Sequence, residues 1–122
     1  MIFDKKKKID MIIEELVKIS NTRKDKIQKM INRLFDQIVS TVSEDDYTIE
    51  EIIIALINLL AYVVMVGVIK GNFNKEDRII FAKAIIKCIQ NDLINFVKDE
   101  NTINKLFKES NNSEKYIPLM YV

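Results

Sequence analysis

From Ile52 to Ile69 the chain runs through eighteen positions with one polar side chain, Asn58, and no charge. A segment of that kind has two physical homes. As helix it reaches about 27 Å, close to the roughly 30 Å hydrocarbon core of a bilayer. A helix apolar on every side also serves as the buried axis of a helical bundle. The rest of the chain decides which home is expected.

The flanking segments carry amphipathic helix patterns that need an apolar partner. Ile9, Ile12, Ile13, Leu16 and Val17 recur at helical spacing in the first segment, from Lys5 to Ser20. Thr22 is placed to cap a second helix, along which Ile27, Met30, Ile31, Leu34, Phe35, Ile38, Val39 and Val42 keep the 3–4 spacing. No strong breaker separates these two helices, so continuous helix across 20–22 is an open alternative. Thr48-Ile49-Glu50-Glu51 reads as a capping box that starts the apolar helix, with Tyr47 and Ile52 placed as a hydrophobic staple. Lys70 and Gly71 end it, Gly71 in the left-handed C′ position. Asn74 caps a fourth helix whose apolar face is expected to hold Ala82, Ile85, Ile86, Ile89, Leu93, Phe96 and Val97, widened by Phe81 and Cys88. A short fifth helix follows, starting about Thr102. The only proline is Pro118, so nothing forbids helix from residue 5 to residue 110. The expectation is an all-α fold, a compact bundle of four to five helices around a central hydrophobic helix at about 49–70. Residues 1–113 form the domain, and 114–122 form an apolar C-terminal tail.

Composition excludes much chemistry. The 122 residues include no His, no Trp, one Cys and two Gly. Without His there is no His-based triad or general base. The usual zinc sites, an intrachain disulfide and a glycine-rich phosphate loop lack their residues. No enzyme activity, cofactor or metal is expected. Cys88 sits beside an apolar helix face without a neighbouring base, which reads as a structural thiol.

Charge is unevenly spread although 19 basic residues nearly balance 18 acidic ones. Residues 1–33 carry ten bases and five acids, and residues 34–51 carry six acids and no base. A basic start and an acidic middle fit a protein-binding surface or a head-to-tail contact. The run Lys5 to Lys8 with Arg23, Lys24 and Lys26 offers a weaker nucleic-acid reading, but no aromatic residues interleave it as stacking platforms except Phe3. The acidic cluster of Glu44, Asp45 and Asp46, followed by Glu50 and Glu51, does not match the spacing of a calcium-binding loop. It reads as a linker with helix-start charge, or as a surface for a basic partner.

Two further features bear on partners. Tyr116, Ile117, Leu119, Met120 and Tyr121 lie in a final apolar stretch around Pro118. That stretch is expected to dock on its own bundle, on a partner or on a second copy. Asn58 is a candidate for fixing register against a neighbouring helix or a second subunit, or for bonding within the core. The bias towards Ile, Lys and Asn, with 22, 16 and 11 copies, fits an AT-rich coding sequence of the kind found in some bacteria, phages, poxviruses and parasites.

From Ala55 through Phe107 the layout of an apolar helix, an amphipathic helix and a short helix resembles the viral B-cell-lymphoma-2-like apoptosis regulators. That resemblance implies a helical bundle with a peptide-binding groove. The family's Asn-Trp-Gly-Arg signature has no counterpart here, so no site residue is carried over. Four-helix bacteriocin immunity proteins and small phage inhibitors are similar in the same general pattern.

These readings converge on a non-enzymatic, cytoplasmic protein-interaction module, a small inhibitor or regulator of viral or phage type. It would bind a host or partner protein and form a homo-oligomer or a tail-mediated contact. Membrane association through residues 52–69 is the alternative.

Overall fold

The computed structural model describes residues 2–110. It contains five helices: α1 (Ile2–Thr22), α2 (Lys24–Glu44), α3 (Ile49–Lys70), α4 (Lys75–Lys98) and α5 (Glu100–Ser110), with no strand among the described residues. The all-α expectation therefore holds. The tail at 114–122, with Tyr116, Ile117, Leu119, Met120 and Tyr121, lies outside the described residues.

The junctions follow from local side-chain chemistry. Between α1 and α2 only Arg23 leaves helical geometry, at φ −120° and ψ 28°, and it has no side-chain cap. Thr22 is not the cap expected of it. Its hydroxyl donates back to the Lys18 carbonyl at 2.9 Å, so it closes α1 instead of opening α2. The expected capping box at the start of α3 is present in full. The Thr48 hydroxyl accepts from the Glu51 N–H at 3.2 Å, and the Glu51 carboxylate accepts from the Thr48 N–H at 3.0 Å. These bonds hold the Glu51 carboxyl below its ordinary pKa, the Thr48 backbone N–H being the main cause.

α3 ends in a Schellman motif. Phe73 N–H bonds the Val68 carbonyl at 3.2 Å and Asn72 N–H bonds the Ile69 carbonyl at 3.1 Å. The left-handed residue is Asn72, at φ 53°, while Gly71 stays right-handed at φ −75°. The left-handed position thus falls one residue after the Gly71 expected to hold it. Glycine at 71 has a different reason. A Cβ there would lie 2.6 Å from the Phe73 ring, which folds over it and meets Phe81 edge-on at 5.6 Å. Asn74 then caps α4, its side-chain oxygen accepting from Asp77 N–H at 2.8 Å. Asp99 joins α4 to α5. Its carboxylate accepts from the Asn101 and Thr102 backbone and from the Thr102 hydroxyl, which places the α5 start two residues before the expected Thr102.

The core sits where α1 crosses α4. Ile80, Ala84 and Cys88, four residues apart, present one buried line, with Ser20 of α1 and Val68 near the end of α3 the other fully buried residues among those described. The small Ala84, at 0% exposure, lets α1 approach closely. The expected α1 stripe of Ile9, Ile12, Ile13, Leu16 and Val17 is the half-buried face. Two exposed ion pairs join the same helices: Lys8 with Asp77 at 3.7 Å, and Asp10 with Lys87 at 3.5 Å. Pairs this exposed contribute about 0–1 kcal/mol each and mainly orient the contact.

The expected place of the apolar helix is not observed. α3 is not sheathed by its neighbours. Only 6% of its most apolar stretch is buried, and among the described helices it meets α4 alone, near its own C-terminus. The reason lies in α4, which turns Ile80, Ala84 and Cys88 towards α1. The α4 face expected from the sequence is correspondingly open at Ile86, Ile89, Leu93 and Val97.

Candidate docking surface

α2 and α3 form a helical hairpin whose arms make no close backbone approach. Their short connection, 45–48, is set by the Thr48 capping box at the α3 end and by a turn in which Tyr47 N–H bonds the Asp45 carbonyl at 3.1 Å. Packed helices lie about 8–10 Å apart. These two stand further apart and enclose an open groove of about 810 Å3. Leu34, Ile38 and Val42 line it from α2, and Leu56, Leu59 and Leu60 from α3. Tyr47 and Ile52, the expected staple pair, both line its closed end. Three polar side chains reach the wall, Gln37, Thr41 and Glu51, so the lining is mostly apolar.

α3 is apolar beyond the groove as well. Ile53, Ile54, Ile57, Tyr62, Met65 and Ile69 are exposed and do not line it. A small ligand seated between the arms would leave those side chains in water. Covering the helix takes a partner with helix-sized surfaces. Monomeric soluble proteins rarely expose contiguous apolar patches beyond a few hundred Å2, and larger ones mark interaction sites.

The residues singled out from the sequence fall as follows. Glu44, Asp45 and Asp46 are exposed at the closed end of the hairpin. No group of acidic or sulfur side chains among the described residues is arranged to hold a metal. Asn58 is exposed in the single chain and donates to the Ile54 carbonyl at 2.8 Å, one turn back on its own helix. Lys5 to Lys8 are exposed, with Lys8 engaged by Asp77. Cys88 is buried and its thiol is pushed above the ordinary range, by burial first and then by the nearby Asp92 carboxylate. A thiol so placed stays protonated and unreactive near neutral pH.

No known family, curated protein or solved structure matches this chain. The resemblance to viral apoptosis regulators therefore contributes no residue assignments.

Sequence reasoning missed the groove itself. The stripe along α2 signals that Leu34, Ile38 and Val42 need apolar company, and the α3 run signals the same. Neither pattern says that the two surfaces stand apart and face a shared gap.

Proposed function

We propose that this protein is a non-enzymatic interaction module that binds another protein through α3 and the α2–α3 groove. One observation carries the reading. A 22-residue helix with only 6% of its apolar stretch buried stands outside a core built by α1 and α4. Such a surface is costly in water, and burial of apolar area against a protein partner is the ordinary way to cover it. The scarcity of catalytic side-chain types in the sequence supports the same conclusion.

Membrane association is the second reading, favoured by the same exposure and by the length of α3. Spanning conflicts with the rest of the fold. A spanning α3 places everything before residue 49 on one side of the bilayer and everything after 70 on the other. α1 and α4 would then be separated, and with them the Ser20, Ile80, Ala84 and Cys88 contact and both ion pairs. Inhibitory or regulatory action, cytoplasmic placement and a viral or phage source remain part of the proposal on sequence grounds alone.

A photo-activated cross-linking residue at Leu59 in the producing cell tests this reading. A discrete protein adduct is expected. Adducts to lipid, with the chain extractable only by detergent, would overturn it.

A further inference from the structure

We propose that the occupant of the α2–α3 groove is a second copy of this chain, laid antiparallel, so that two hairpins complete one four-helix bundle. This deepens the protein-docking reading and rests on it.

The first argument is self-complementarity. The hairpin presents a ridge and a cleft in one patch: α3, apolar on all sides, and the gap beside it lined by Leu34, Ile38, Leu56 and Leu59. A two-fold interface needs the same patch on both subunits, each supplying what the other receives. In a bundle of two such hairpins each α3 packs against the α2 and α3 of the other copy, while α2 keeps its polar face in water. That division matches their sequences, since α2 has one stripe and α3 has none.

Charge supplies the direction. Glu44, Asp45, Asp46 and Glu50 are exposed at the closed end of the hairpin. Arg23, Lys26 and Lys29 at the start of α2, with Lys70 at the end of α3, are exposed at the other end; Asp25 lies among them, and the α4 start just beyond Lys70 adds two bases, Lys75 and Arg78, and two acids, Glu76 and Asp77. Two copies laid antiparallel bring the acidic end of each over the basic end of the other, twice over. Two parallel copies would set acid on acid and base on base, which is repulsive.

Area is sufficient. A helix of 22 residues is about 33 Å long and offers roughly 1,100 Å2 of side surface at ordinary helix diameter. Stable interfaces bury about 800 Å2 per partner.

The test uses the full chain and two charge-reversed versions. One carries Glu44→Lys, Asp45→Lys and Asp46→Lys; the other carries Lys26→Glu, Lys29→Glu and Lys70→Glu. All six positions are exposed, and circular dichroism checks that helix is retained. If a reversal unfolds the chain, the neutral set Glu44→Gln, Asp45→Asn and Asp46→Asn takes its place. Light scattering is expected to find two copies for the unaltered chain. Each reversed version alone should associate at least about tenfold more weakly, equivalent to about 1.4 kcal/mol. An equimolar mixture should recover pairing. A version with both ends reversed should pair with itself as the unaltered chain does, whereas a parallel pair, already like on like, would not be weakened by either single reversal. A monomeric chain that still cross-links another protein through Leu59 overturns this inference and leaves the docking reading standing. A dimer indifferent to the reversals overturns the antiparallel groove. A chain that stays in solution only with detergent overturns both.

Discussion

Two apolar residues distinguish the core of the chain from its proposed docking surface: Ile80 and Leu59. Ile80 is 3% exposed in the α1–α4 core, whereas Leu59 is 61% exposed on α3. Ile80→Ala removes three buried carbon groups at about 0.8 kcal/mol each and leaves a cavity, so it should cost about 3–4 kcal/mol. For a chain of this length, total stability is on the order of 6–18 kcal/mol. The loss belongs to the fold of each chain, so it appears at any protein concentration. Leu59→Ala should change the folding of a lone chain by about 0.5 kcal/mol or less, as exposed substitutions do. In a docked pair the remaining three-fifths of the side chain is buried, about 1–2 kcal/mol per copy and 2–4 kcal/mol for both. That is a weakening of association by about 30- to 700-fold. Denaturant unfolding at two protein concentrations a hundredfold apart reads both effects. The Ile80→Ala loss should be present at both concentrations, and the Leu59→Ala loss only at the higher one. A Leu59→Ala loss of the same size at both concentrations would refute the reasoning, because it would place Leu59 in the core of the single chain.

Other substitutions probe the joints. The Ser20 hydroxyl is buried with no hydrogen-bond partner among the described residues, so Ser20→Ala should stabilise the chain by about 1 kcal/mol, read as a rise of a few degrees in Tm. Thr48→Ala removes the capping box and should cost about 1 kcal/mol, with faster amide exchange in the first turn of α3. Asn72→Gly should be neutral or stabilising in chemical denaturation, while Asn72→Val should cost about 1–2 kcal/mol, because its φ of 53° suits glycine and penalises a β-branched residue. The Asp99 carboxyl is held below its ordinary pKa, first by the Thr102 hydroxyl and then by backbone N–H groups. A lowered folded pKa gives stability that is present above the unfolded value of about 3.9 and lost as pH falls through the folded value. Amide exchange at Asn101 and Thr102 should therefore quicken below about pH 4, and in Asp99→Asn that acid step should be absent.

The parts of the fold visible in the sequence were those governed by neighbouring residues. Helix spacing along α1, the capping box at Thr48 and the Asn74 cap each depend on side chains within four positions, and all are present as read. The departures at Thr22 and Gly71 are local too, and turn on competition. The Thr22 hydroxyl had two backbone partners within reach and bonded the earlier one. At the end of α3 the Phe73 ring claimed the space over Gly71, and Asn72, a residue that tolerates positive φ, took the left-handed position. The burial of α3 is of another kind. Hydropathy records that Ile52 to Ile69 avoid water, and it is silent on whether α2, α4 or a different molecule supplies the cover. That choice depends on how α1 and α4 meet over Ala84, a contact more than sixty residues apart in the chain. The α2–α3 groove was legible only as two unmatched apolar surfaces for the same reason, although the charge division that orients the proposed pair is plain in the sequence.

The central claim is that α3 leaves water against protein. Sedimentation equilibrium of the purified full chain in detergent-free buffer, over a range of concentrations, tests it most directly. A reversible rise is expected from the 14.3 kDa of one chain to twice that mass, with association weakened by Leu59→Ala. A chain that stays at 14.3 kDa across the range would contradict pairing with a second copy, and one that sediments only inside detergent micelles would contradict docking against protein altogether.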